Sequence, residues 1–194
     1  MEQFINRAVN KFLLDPTANA IAVVVLLFMV GCLVVVILNF MKDEITLIDK
    51  IPGWVIPLLA LAGIAVSTYL SFVELTQTEA FCGPVGDCNS VQQSKYAALF
   101  GILPIGLLGI FGYSLILITW LITVIGPKQV RPYSMFLSWI LSFFGMLFSI
   151  YLTFLEPFVI GATCMWCITS AIIISLLLLA TTGGAKALWT SQDV

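Results

Sequence analysis

The sequence predicts an all-α integral membrane protein, a four-helix transmembrane bundle with one extra N-terminal transmembrane helix. Three observations predict it. The 194 residues are 61% hydrophobic and only 9% charged, with mean hydropathy +1.12, far more apolar surface than a soluble domain of one-domain length needs. Five segments, 18–41, 52–73, 99–125, 133–155 and 163–182, reach the roughly 20 apolar residues that cross a bilayer. The alternation of a membrane β-barrel is absent, which leaves helices.

The elements follow in order. Phe4, Ile5, Ala8, Val9, Phe12 and Leu13 fall on one helical face, with Arg7, Asn10 and Lys11 elsewhere, until Asp15-Pro16 breaks the pattern. That is a short interfacial amphipathic helix; a disordered tail is the competing reading. The run Ala18 to Met41 is too long for a signal-peptide core, and no A-x-A site follows it, so it reads as a retained first span. The remaining four spans form two hairpins. Their longest polar connection carries Cys82-Gly-Pro-Val-Gly-Asp-Cys88, and the last span opens with Cys164-Met-Trp-Cys167.

Charge narrows the function classes. The net charge of −2 suggests no partner, and eight basic residues without a basic patch argue against nucleic acid. The chain has no histidine, which excludes a histidine base or metal ligand. Five spans put both cysteine pairs on one side. The opposite side carries Lys42, Lys50, Lys128, Arg131 and Lys186, against Arg7, Lys11 and Lys95 on the cysteine side. The positive-inside rule then faces the cysteines outward, where disulfides persist.

Residues 67–82 and 149–164 match without a gap at seven positions: Ser67/Ser149, Tyr69/Tyr151, Leu70/Leu152, Phe72/Phe154, Glu74/Glu156, Ala80/Ala162 and Cys82/Cys164. The second and third spans, and the fourth and fifth, thus read as two parallel hairpins, each ending on cysteines. The first span lies outside this symmetry and is expected to be peripheral. Glu74 and Glu156 sit at the outer ends of their spans, where solvation is the simpler expectation and proton handling the alternative.

Cys164 and Cys167 are spaced to put both sulfurs on one helical face, close enough for a disulfide. A helix N-terminus favours thiolate over thiol, and Thr163 is the expected N-cap. The motif is read three ways: a redox pair, half a zinc site or two structural cysteines. Gly83, Pro84 and Gly86 turn the loop between Cys82 and Cys88, either for a static disulfide or for exchange with the other pair. Cys32, mid-span among valines and leucines, is expected to be packing.

Loop Cys82 and Cys88, then Ser94, then Cys164-x-x-Cys167 in the final helix is an order that resembles the vitamin K epoxide reductase family, in its bacterial and archaeal branch. Gly101-Ile-Leu-Pro104-Ile-Gly106-Leu-Leu-Gly109-Ile-Phe-Gly112-Tyr113 and Tyr151-Leu-Thr-Phe-Leu-Glu156 add to the likeness, which covers about residues 52–182. The bacterial quinone reductases that oxidise the periplasmic disulfide donor carry their Cys-x-x-Cys in the earlier loop, so the order here disfavours them. The resemblance implies four helices around a quinone, ubiquinone or menaquinone, with no metal. It implies that Cys164 and Cys167 are the active-site pair, Cys167 nearest the quinone. Cys88 would form the transient disulfide with Cys164, Cys82 would meet the redox partner, and Ser94 would hydrogen-bond a quinone oxygen. Ala171 stands where animal members have a tyrosine. The stretch after the last span is too short for the thioredoxin-like domain fused in many bacterial members, so a separate thioredoxin-like partner is expected.

The expected organisation is an interfacial segment at 1–17, the extra span and its cytoplasmic connection at 18–50, a four-helix catalytic domain at 51–183 and a cytoplasmic tail at 184–194. The expected function is that of a thiol:quinone oxidoreductase in a prokaryotic cytoplasmic membrane, driving disulfide formation in exported proteins. The alternatives are reduction of a vitamin K epoxide, or a non-enzymatic membrane protein with two structural disulfides.

Overall fold

The computed structural model describes residues 2–41, 50–83, 85–99 and 102–192, without the side chains of Phe4 and residues 187–192. Lys42, Pro84 and Gly101, named above, lie outside the described residues. Among the described residues the regular structure is helical apart from one short hairpin. Its helices are α1 (Glu2–Phe12), α2 (Pro16–Met41), α3 (Val55–Thr76), α4 (Cys88–Gln92), α5 (Ile105–Ile125), α6 (Arg131–Leu155) and α7 (Met165–Gln192). Five helical segments among the described residues are long and apolar enough to cross a membrane: Pro16–Met41, Val55–Thr76, Ile105–Ile125, Arg131–Ile160 and Met165–Lys186. The protein is a multi-pass membrane protein.

α3, α5, α6 and α7 form the bundle. α7 is its most buried member, with Ala171, Leu177 and Leu178 fully enclosed. Apolar burial drives no association in lipid, so close packing has to. Small residues supply it where α3 meets α5: a methyl group at Gly106 or Gly109 would land on Ser71 or Ser67.

The first span is more than peripheral. It packs on α6 and α7 through Ala18, Ala22, Val25, Met29, Cys32, Val36 and Asn39, all buried. Those steps alternate between four and three, the seam of a left-handed helix pair. Cys32 is one knob of that seam, 5% exposed. Asp15 caps α2 by accepting the Ala18 N–H at 3.2 Å, and Pro16 fits the first helical turn because its missing N–H has no helical acceptor there. α1 lies against the π-helical turn that follows α6, Glu156–Ile160: Phe12 stacks on Phe158 with centroids 6.4 Å apart. Ile5, Val9 and Leu13 remain exposed, an apolar stripe suited to a membrane interface.

The second span is shifted by three residues, to Val55–Thr76, and the largest departures from the expected boundaries are at three further places. The third span starts at Ile105, not at 99, because Ala98–Leu99 pairs antiparallel with Leu103–Pro104 before the helix begins. The fourth span does not stop at 155; it widens into a π-helical turn, Glu156–Ile160, closed by Gly161 at φ 85°. α7 does not stop at 182; it continues through Gly183 and Gly184, where Met135 of α6 packs on Gly184, to Gln192.

Candidate active site

At one end of the bundle the Cys82–Cys88 loop, α4, the π turn and the start of α7 meet. Cys82 and Cys88 are joined as a disulfide, Cα atoms 5.9 Å apart, whereas Cys164 and Cys167 are free thiols. Cys88 is fully buried and Cys82 half-buried. The loop is gripped at Phe81, whose N–H donates to the Tyr69 hydroxyl at 2.8 Å. The Phe81 carbonyl accepts the Trp166 indole N–H at 2.9 Å. Asp87 caps α4, accepting the Ser90 hydroxyl and the Ser90 N–H, the latter at 3.0 Å, and those bonds hold its carboxylate below the usual range.

The two cysteine segments are laced together by backbone. The Asp87 N–H donates to the Thr163 carbonyl at 3.0 Å, so the residues just before Cys88 and Cys164 are bonded to each other. Gly86 makes this approach possible: its φ is +92°, and a Cβ there would strike that same Thr163 carbonyl.

Cys164, not Thr163, caps α7. Its Sγ accepts the Cys167 N–H at 3.4 Å, the reach of an N-cap side chain to the third helical residue. Thr163 is instead drawn away, donating to Asn19 Oδ1 at 2.9 Å. A hydrogen bond from the Cys167 thiol, opposed by burial and helped by backbone N–H groups and Gln92, holds the Cys164 thiol below its ordinary value. The helix N-terminus favours the same thiolate.

Gln92 escaped the sequence reading, and the setting of Glu156 differs from the solvation expected of it. Gln92 Nε2 lies 3.9 Å from both Cys164 Sγ and Cys167 Sγ, while its Oε1 is buried with no hydrogen-bond partner. It stands four residues after Cys88 on α4, the spacing that shares a helical face. Glu156 is not solvated but buried, at 3% exposure, and its Oε2 accepts the Cys164 N–H at 3.0 Å. Glu74 is half-buried, and its Oε2 accepts the Gly106 N–H at 3.1 Å. Each repeat glutamate thus binds an N–H at the start of the following span. Boundary position suggested water; the orphan N–H groups of the next helix took the carboxylates instead.

Asn19 ties the first span to the cysteines. It is fully buried, donates to the carbonyls of Phe12 at 3.0 Å and Gly161 at 3.4 Å, and accepts from Thr163. Asn19→Leu would leave those buried groups unpaired, so it is expected to destabilise the protein by about 2 kcal/mol. A lower unfolding temperature in detergent and faster alkylation of Cys164 would show it; unchanged values of both would refute the tie.

Cys167 faces two adjoining cavities. The larger, about 150 Å³, lies between α3, α5, α6 and α7. Its wall includes Gly112, Tyr113, Phe148, Glu156, Cys167 and Ser170. The Tyr113 and Ser170 hydroxyls are 2.9 Å apart. The smaller, about 50 Å³, is lined by Glu74, Gln92, Ser94, Tyr96, Glu156 and Cys167 among others. Ser94 follows α4 in a turn, and its Oγ accepts the Tyr96 N–H at 3.3 Å, which does not use its own O–H. No cluster of three or more metal-ligating side chains occurs among the described residues.

The model of the vitamin K epoxide reductase family matches residues 54–182. The chain belongs to that family. Its matched region is the bundle with both cysteine pairs, and it leaves out α1 and α2. As a vitamin K epoxide reductase family member it is a membrane oxidoreductase of the kind that links disulfide chemistry to quinones. The tyrosine expected from animal members is Ala171, fully buried in the core. The neighbouring Ser170, with Tyr113, places hydroxyls on the cavity wall instead.

Proposed function

We propose that this protein takes two electrons from the dithiol of a thioredoxin-like partner outside a prokaryotic cytoplasmic membrane and delivers them to a lipid quinone. The observation that carries this reading is the position of the Cys164–Cys167 pair. It lies between a half-exposed loop disulfide, bonded to it through Asp87 and Thr163, and a membrane-embedded cavity that Cys167 lines. Cys82 is the less buried member of the loop pair and meets the partner. The partner's dithiol reduces Cys82–Cys88 and becomes a disulfide. Cys88 then attacks Cys164 of the oxidised inner pair, and Cys82 resolves the mixed disulfide, leaving Cys164 and Cys167 as the dithiol.

The residues present fit a quinone. A cavity of about 150 Å³ accepts a single six-membered ring, and the wall here is mostly apolar with few polar groups, as such sites are. Ser94 offers its O–H on one side of Cys167; on the other, Tyr113 donates its hydroxyl to the Ser170 carbonyl at 3.0 Å, and the Ser170 hydroxyl lies beside it on the cavity wall. Gln92 Oε1 is a buried acceptor without a hydrogen-bond partner, which suits the O–H of the hydroquinone product and not a quinone carbonyl. When bound, a quinone supplies the sink for two electrons and two protons. The protein orients it, excludes water and presents Cys167.

Quinone reduction by the purified protein, driven by a reduced thioredoxin-like protein and compared with Cys167→Ala, tests the reading. Activity lost in that variant supports it. No activity with several quinones and donors, with disulfides that resist mild reductant, overturns it. A second check addresses the cavity. A Cβ at Gly112 meets nothing within 4 Å, so Gly112→Phe can place its ring in the cavity without backbone strain. KM for quinone should rise about tenfold or more, while reduction of the inner cysteine pair by a small dithiol stays unchanged. An unchanged KM would put the quinone elsewhere.

A further inference from the structure

Glu74 and Glu156 are equivalent in the internal repeat and line the same small cavity with Cys167. Glu74 is the half-exposed member at the outer end of α3; Glu156 is buried and also lines the larger cavity. The Glu156 carboxyl accepts the Cys164 N–H and shares the walls of both cavities with Cys167. The carboxyls therefore form a line from the outer surface to the thiol that faces the quinone cavity. Carboxyl groups inside a membrane bundle are costly and mark proton paths.

The chemistry needs such a line. A dithiol and a quinone exchange two electrons and two protons, but Cys164 is held toward thiolate at the N-cap of α7, so one of the two protons must reside elsewhere. We propose that Glu156 holds that proton and gives it up during quinone reduction, with Glu74 relaying protons between Glu156 and the outer surface. The inference rests on the oxidoreductase reading above.

The balance closes. Before transfer, Cys164 is a thiolate, Cys167 a thiol and Glu156 a carboxylic acid. Formation of the Cys164–Cys167 disulfide releases two electrons. The proton of Cys167 and the proton of Glu156 accompany them, so quinone becomes hydroquinone and Glu156 is left as carboxylate. In the next cycle the partner's dithiol becomes a disulfide, and its two protons restore the Cys167 thiol and the Glu156 acid. Among the described residues, the other titratable groups that line a cavity with Glu156 or pack against its turn are Cys164 and Cys167 at the start of α7, Glu74 on α3, Tyr96 beyond α4, Tyr113 on α5 and Lys11 on α1.

Glu156→Gln in the full chain separates holding a proton from holding Cys164, because the amide oxygen still accepts the Cys164 N–H. Thiol exchange with a small dithiol should stay near wild type in this variant, while quinone reduction falls about a hundredfold. A readout without quinone is the infrared difference spectrum between reduced and oxidised protein. Reduction should add a carboxylic-acid carbonyl band in the wild type and none in Glu156→Gln. Wild-type turnover in Glu156→Gln, or persistence of the band, overturns the proposal. Equal loss of dithiol exchange and quinone reduction also overturns it, since Glu156 would then act only by placing Cys164. A wild-type protein inactive with every quinone would instead sink the oxidoreductase reading, leaving the infrared band to judge the proton seat separately.

Discussion

Cys167→Ala is expected to abolish quinone reduction and to stop the internal exchange halfway. Cys167 is the cysteine that lines both cavities, so its loss removes the sulfur through which electrons leave. Cys164 keeps its place, because the bonds that fix it come from Glu156 and the backbone. Losing one sulfur should cost only about 1 kcal/mol, so the variant folds. Its Cys164 can then attack Cys88 Sγ, forming Cys164–Cys88 and releasing Cys82 as thiolate, with no Cys167 left to resolve the bond. Disulfide mapping after acid quenching and alkylation should find that mixed disulfide. A second effect has a definite sign. The Cys167 thiol is the leading cause of the lowered Cys164 pKa, so in Cys167→Ala the pKa rises toward the ordinary thiol value. Alkylation of Cys164, followed with Cys82 and Cys88 blocked, should begin at higher pH than in wild type. Cys32→Ala, a seam residue far along α2, should leave turnover intact and serves as the control. Full activity in Cys167→Ala would remove the whole assignment.

The spans were legible because length and apolarity suffice for them, and the order of the cysteines pointed to the family. The packing face of α2 was not legible. That helix is apolar all round, so no periodicity distinguishes the seam from the lipid side; the seam appears only once α6 and α7 are in place. Asn19 looked like a polar residue at a span boundary, yet the π turn brings the Gly161 carbonyl and Thr163 to it. Thr163 was the stronger capping residue by type, but that bond to Asn19 leaves the cap to Cys164. Glu74 and Glu156 were misjudged from position along the chain, although the repeat held the correcting signal. Two equivalent charges, each ahead of an apolar helix, have that helix's free N–H groups within reach. Gln92 was findable from its spacing to Cys88, but only after α4 was known to be a helix.

Gly86→Val should uncouple the outer cysteine pair from the inner one. Valine at a φ of +92° is strained by about 1–3 kcal/mol, and its Cβ would collide with the Thr163 carbonyl. The Cys82–Cys88 disulfide and the Tyr69 and Trp166 bonds at Phe81 hold the first half of the loop, so relief comes from breaking the Asp87–Thr163 hydrogen bond and lifting Cys88 away from Cys164. Misplacing reacting atoms by even an ångström costs about a hundredfold in rate. Turnover driven by a thioredoxin-like partner should therefore fall about a hundredfold. Turnover driven by a small dithiol that reduces Cys164–Cys167 directly should remain near wild type, because the Cys164 cap, Glu156 and the cavity are untouched. Thermal unfolding in detergent reports whether the bundle survives, and Gly86→Ala provides a milder version of the same collision. Should partner-driven and small-dithiol turnover fall together, the loop would be supporting the inner site rather than feeding it. Should neither change, electrons would be reaching Cys164 by a route that bypasses Cys88.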